Sequence, residues 1–146
     1  MNHQKKFVEP LALRQTMRQW TSGVTVLTTV LDGQIHGMTV SSFTSVSLEP
    51  PVVLVSLNQE SRTYQLVAQS RVFGVTILAE DQKEISERFA GRVPDEADRF
   101  DTLETFQLLT GSPFLKGGLG FIDCEVTHSF EIGANTRLTD ALRSTL

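Results

Sequence analysis

The chain has 146 residues, 40% of them hydrophobic and 21% charged, with a formal net charge of -4. That balance fits one domain with a real core, excludes a disordered chain, and excludes a global basic field for non-specific nucleic-acid binding. A single cysteine, Cys124, excludes an intrachain disulfide and a thiolate metal cluster, and favours a reducing, cytoplasmic setting.

The opening MNHQKKF carries two lysines with no apolar run behind them, so it does not read as a secretion signal. No stretch approaches the ~20 apolar residues needed to cross a bilayer. Pro10 suits a helix start, and Leu13, Met17 and Trp20 then recur at i, i+4 and i+7. This spacing predicts an amphipathic helix over 10–20, ended by Ser22 and Gly23. Residues 24–31, VTVLTTVL, are rich in β-branched side chains and read as a strand. Asp32-Gly33 is a strong tight-turn signal, and residues 34–40 return as the second strand. Pro50-Pro51 opposes ladder bonding, so the next strand is expected from Val52 to Leu57, buried on both faces. Ser61 is a candidate N-cap for a helix running to Ser70, with Leu66 and Val67 inward. Residues 71–78 form a further apolar strand. Asp81 and Glu84 have capping-box spacing for a helix over 81–90, with Ile85 and Phe89 on its inner face. Residues 91–118, with their Gly, Pro and acidic residues, predict a long surface excursion. In residues 119–130, Ile122, Cys124, Val126, His128 and Phe130 share one face of a long strand, and Asp123, Glu125 and Thr127 the other. Many short strands with few helices point to a β-barrel with peripheral helices, the whole chain forming one domain.

Residues 37–58, GMTVSSFTSVSLEPPVVLVSLN, carry the most information. Thr39, Ser41, Ser42, Thr44, Ser45 and Ser47 place six hydroxyls in nine positions, before two prolines and an apolar strand. Such a loop is commonly turn chemistry; its other reading is a surface that hydrogen-bonds a flat, polar, phosphorylated ligand. Ser61 at a helix start, followed by Arg62, suits a phosphate. Cys124 reads as a small buried hydrophobe and His128 as structural. No set of histidines and carboxylates has metal-ligand spacing.

The blocks TSGVTVLTT, HGMTVSSFTSVSLEPPVVLVSLN, FGVTIL, RFAG and CEV, in consistent order over residues 11–136, resemble the flavin reductase domain family. These are the small reductase components of two-component flavin monooxygenases. The resemblance implies a mainly β split barrel with peripheral helices, a homodimer, and FMN or FAD bound near the dimer interface. It also implies reduction of that flavin by NADH or NADPH and delivery to an oxygenase partner. Its flavin-contacting segment matches Thr39, Val40, Ser41, Ser42, Phe43, Ser45 and Val46. Its phosphate-side turn matches Asn58, Gln59, Glu60, Ser61 and Arg62, and a further block matches Phe89, Ala90, Gly91 and Arg92. The lack of a nucleophile or triad agrees with hydride chemistry that the cofactors carry themselves.

The C-terminal stretch departs from the family pattern. A Gly-Asp-His-Thr turn, whose histidine is linked with nicotinamide binding, is replaced by Gly133-Ala134-Asn135-Thr136. Asn135 can hydrogen-bond but cannot carry a positive charge. Residues 137–146, RLTDALRSTL, then read as an atypical tail, a short helix or a frayed end, leaving a sheet edge bare. This departure favours flavin binding over nicotinamide-dependent turnover. The alternative function is therefore a flavin-binding or electron-transfer module with little catalysis. An oxidase acting on a pyridoxine-like phosphate would need a basic cluster that the sequence does not offer.

Overall fold

The computed structural model describes residues 7–92, 94, 98–133 and 136–142. Strand β1 (Thr25–Leu31) turns at Asp32-Gly33 into β2 (Gln34–Val40), in full register from Thr25–Val40 to Leu31–Gln34. Both turn residues have positive φ, 50° and 78°, as a two-residue hairpin requires. The hydroxyl-rich stretch was expected to be loop throughout. It holds a strand instead, β3 (Thr44–Leu48), antiparallel to β4 (Pro51–Asn58). Pro51 opens β4 rather than preceding it, which the first position of a strand tolerates. A loop expectation here weighed hydroxyl content over the β-branched alternation that Thr and Val also supply.

Helix α1 (Pro10–Met17) precedes the sheet, and helix α2 (Arg62–Ser70) begins where Ser61 caps it: the Tyr64 amide donates to Ser61 Oγ at 3.2 Å. Leu66 and Val67 are buried as the helical spacing demands. Strand β5 (Val72–Ile77) follows, then a single 3-10 turn (Glu80–Gln82) and α3 (Lys83–Phe89). The Asp81 capping box is not what starts α3. The Gln82 side chain reaches back instead, and its Oε1 accepts the Ala79 amide at 2.9 Å.

The 91–118 segment is not surface throughout. It contains the small pair β6 (Thr105–Gln107) and β7 (Pro113–Leu115), and Ser112 to Leu115 are buried. Strand β8 (Gly120–Ile132) is long, and β9 (Thr136–Leu142) completes a seven-stranded antiparallel sheet in the order β2-β1-β5-β8-β9-β4-β3. The expected bare edge is overturned. β9 is an internal strand paired with β4 on one side and β8 on the other. Two rows of backbone partners outweigh a weak side-chain pattern; residues 143–146 lie outside the described residues.

Val40 on β2 and Val55 and Leu57 on β4 share one buried cluster with Leu27, Val67, Phe73, Val75, Cys124 and Ala141. Four strands separate β2 from β4 in the sheet. At about 4.8 Å per strand, a flat sheet would hold them roughly 24 Å apart. The sheet is therefore rolled about this core without closing, which is the split-barrel form. A second cluster of Val26, Phe89 and Leu115 lies against α3 and the excursion.

Two expected apolar faces are not buried. Helix α1 buries no residue, and Leu13, Met17 and Trp20 are exposed. On β8, Cys124 is buried and Glu125 exposed as alternation expects, although Asp123 is buried too, and the facing then reverses at a register shift between Val126 and His128. The extra residue reverses the facing of the positions beyond it. Phe130, expected inward, is 54% exposed.

Candidate active site

Three segments distant in sequence meet in a cleft of about 300 Å³. Strand β2 contributes His36, Met38 and Thr39; the start of α2 contributes Glu60, Ser61, Arg62 and Thr63; the end of α3 contributes Phe89, Ala90 and Gly91, and the segment beyond it Arg99. Seven residues singled out in the sequence, Thr39, Glu60, Ser61, Arg62, Phe89, Ala90 and Gly91, thus line one cavity.

Hydrogen bonds hold the three walls together. Thr39 Oγ1 donates to the Ser86 carbonyl of α3 at 2.5 Å. His36 Nδ1 and Thr63 Oγ1 lie 2.7 Å apart, joining β2 to the first turn of α2. An Arg99 N–H donates to the Gly37 carbonyl at 3.1 Å. Gly37 is needed for this packing: a Cβ there would stand 3.0 Å from the Phe89 ring and 3.2 Å from the Leu27 carbonyl oxygen. At the rim, Gly91 has φ of 77°, and nothing lies within 4 Å of where its Cβ would be. It leaves both open space and accessible backbone.

Ser61 is heavily used. Its hydroxyl donates to the Asn58 carbonyl at 2.7 Å while accepting from Tyr64, and Asn58 Oδ1 accepts the Glu60 amide at 2.8 Å. These bonds fix the turn and leave its anion-binding capacity to Arg62, exposed beside it, and to first-turn amides that have no intrahelical acceptor.

The rest of the expected segment, the 40–46 ledge that follows Thr39, does not itself line this cleft. Val40 is buried in the core and Phe43 packs against it. Ser41 to Phe43 belong to neither strand, so no ladder consumes their backbone groups. Ser42 Oγ donates to the Ser56 carbonyl at 2.8 Å and accepts the Ser56 amide at 3.2 Å, binding the ledge to β4. Asn58 ends β4 just beyond, and Gln59 follows in the turn. Ser45 and Val46 continue along β3 on the exposed side. Arg92 is not among the cleft residues; it lies 3.9 Å from Glu87 in an exposed ion pair. Asn135 lies outside the described residues, although Thr136 beside it pairs with Asn58.

Sequence reasoning missed His36, Met38, Thr63 and Arg99. The β2 alternation could have flagged His36, since it shares a face with Met38, two residues on. Arg99 gave no such signal inside an irregular stretch. Among the described residues no group of His, Cys, Asp and Glu could hold a metal ion, and no helix is long and apolar enough to cross a membrane.

The donor set suits a phosphorylated flavin. Two guanidiniums and a helix start line one cavity. The flavin reductase like domain family matches residues 17–139. An NADH-dependent flavin reductase from a Rhodococcus species is 39% identical over 132 residues, covering 88% of this chain and 72% of that protein. The reductase subunit HsaB of a flavin-dependent monooxygenase from Mycobacterium tuberculosis is 35% identical over 137 residues, covering 94% and 72%. The solved structure of the styrene monooxygenase flavin reductase from Pseudomonas putida S12 superposes with a TM-score of 0.80 at 35% identity, covering 90% and 82%.

Proposed function

The chain belongs to the flavin reductase like domain family, and on that premise we propose that the α2 cleft and the adjoining ledge receive its flavin. The protein is an NADH-dependent flavin reductase that supplies reduced FMN or FAD to an oxygenase partner. Thr39, Val40, Ser41, Ser42, Phe43, Ser45 and Val46 frame the ring system. Asn58, Gln59, Glu60, Ser61 and Arg62, with Ala90 and Gly91, frame the phosphate end. When bound, the flavin supplies the hydride acceptor. The chain's own residues bind, orient and exclude water, which is most of what a hydride transfer asks of a protein.

The observation that carries this reading is the convergence of Thr39, the 60–62 turn and Ala90-Gly91 on one cavity. Titration with FMN and with FAD, monitored by flavin fluorescence, tests it. One flavin per chain is expected, with about tenfold weaker binding in Arg62→Ala for loss of a charge-assisted bond. Unchanged affinity in that variant would remove the cleft from the reading.

The reading includes a homodimer. Its support is the apolar surface left uncovered: Trp20 is 72% exposed, Leu48 83%, Val46 58% and Phe130 54%. Sedimentation at twice the chain mass is expected, and a monomer at micromolar concentration would reject it. The non-catalytic alternative drew on a missing edge strand, and with β9 in place that support is gone. Its other support rests on Asn135, outside the described residues.

A further inference from the structure

We propose that Ser42 is a positioning residue of the flavin site: its side chain takes the place of its main chain in the sheet, and so keeps the 41–43 backbone available to the flavin ring. This rests on the reading of the ledge as the frame of that ring. Strands β3 and β4 pair with Ser45 opposite Val53 and Thr44 opposite Leu54. Carried two residues further back, the same register puts Ser42 opposite Ser56. Residues that face each other in a hydrogen-bonded antiparallel pair exchange two bonds, N–H to carbonyl in each direction. Here Ser42 Oγ performs both. It donates to the Ser56 carbonyl at 2.8 Å and accepts the Ser56 amide at 3.2 Å. A hydroxyl can do so because it is donor and acceptor at once. The chain bends at Ser41, and Ser42 and Phe43 belong to neither strand. The Ser56 groups are thus satisfied while the Ser42 N–H and carbonyl stay out of the ladder.

This clamp holds the ledge at its middle, and its two ends are held as well. Thr25 Oγ1 donates to the Val40 carbonyl at 2.7 Å, and Phe43 packs against the main core. Ser56 stands two residues before Asn58, whose carbonyl accepts the Ser61 amide at 3.0 Å and the Ser61 hydroxyl at 2.7 Å. The Ser42 hydroxyl therefore ties the ledge to the strand that leads into the 58–62 turn. A flat ring with a hydrogen-bonding edge binds better to backbone groups already in place, because none has to be ordered on binding. Ser42 acts through Ser56 and through its own main chain, with its hydroxyl turned to β4.

The test compares native protein, Ser42→Ala and Ser42→Thr in two measurements. One is hydrogen exchange of the Ser56 amide without flavin. The other is titration with riboflavin, which has the ring and no phosphate, and with FMN. Ser42→Ala is expected to speed Ser56 exchange about tenfold and to weaken both flavins alike, by about threefold to tenfold. Ser42→Thr keeps the hydroxyl and should restore both. Weaker flavin binding with unchanged Ser56 exchange would make the hydroxyl a direct flavin contact and overturn the proposal. Faster exchange with unchanged flavin affinity would make the clamp a brace of the sheet alone and overturn it as well. If the native protein bound neither riboflavin nor FMN, the flavin reading of the ledge would fall, and the role of Ser42 with it.

Discussion

Asp123 and Cys124 are neighbours on β8, and the structure treats them in opposite ways. Cys124 is fully buried in the main core. Burial, with a smaller contribution from the Asp123 charge, pushes its thiol up to about 12 from an ordinary 9.0. The group stays protonated in the folded chain while the unfolded chain ionises. Its contribution to stability is therefore complete below pH 9 and lost as pH rises toward 12. Asp123 was assigned to the outer face by alternation and is only 2% exposed. Sequence alternation says which residues share a face, but not what later covers it. Here the loop between β6 and β7 covers it: Asp123 accepts the Leu109 amide at 2.7 Å, the Thr110 amide at 2.9 Å and the Thr110 hydroxyl at 2.5 Å. Asp123→Ala strands those donors, and chemical denaturation should show a loss of about 3 kcal/mol. Asp123→Asn, which keeps an acceptor, should cost less. A loss below about 0.5 kcal/mol in Asp123→Ala would mean that the loop is held by something else.

At the scale of elements, most boundaries were legible because local chemistry decides them. The hairpin at Asp32-Gly33 needs positive φ, the helix at Ser61 needs a cap, and both lie where the sequence puts them. The misreadings came where a neighbour decides. The β8 bulge depends on pairing with β9, and β9 on two partners that its own sequence does not announce. That strand still shows the conflict visible in its sequence. Thr139 is 1% exposed, and its Oγ1, with Ser129 Oγ on the paired position of β8, has no hydrogen-bond partner among the described residues. Both side chains border a void of about 20 Å³ beneath α2. Thr139→Val keeps the shape and removes the stranded hydroxyl. It should stabilise the fold by about 1 kcal/mol, raising the melting temperature by roughly 3 °C. A lower melting temperature would show that the hydroxyl is bonded in solution.

At the scale of the molecule, the rolled sheet brings together what the chain separates. Strand β2, the turn after β4 and the end of α3 line one cleft only because the sheet curls about the Val40, Val55 and Phe73 core and α2 and α3 pack beside β2. The sequence blocks singled out Thr39, the 60–62 turn and Phe89 to Gly91, which meet at the cleft; the curl supplied Arg99 and His36, whose placement depends on contacts between distant segments. Steady-state oxidation of NADH, monitored by its near-ultraviolet absorbance with FMN and then FAD as acceptor, tests the reductase function most directly. Flavin-dependent turnover at ~1 s⁻¹ or faster is expected, in the range typical of enzymes. Saturable flavin binding with no flavin-dependent NADH oxidation would contradict it.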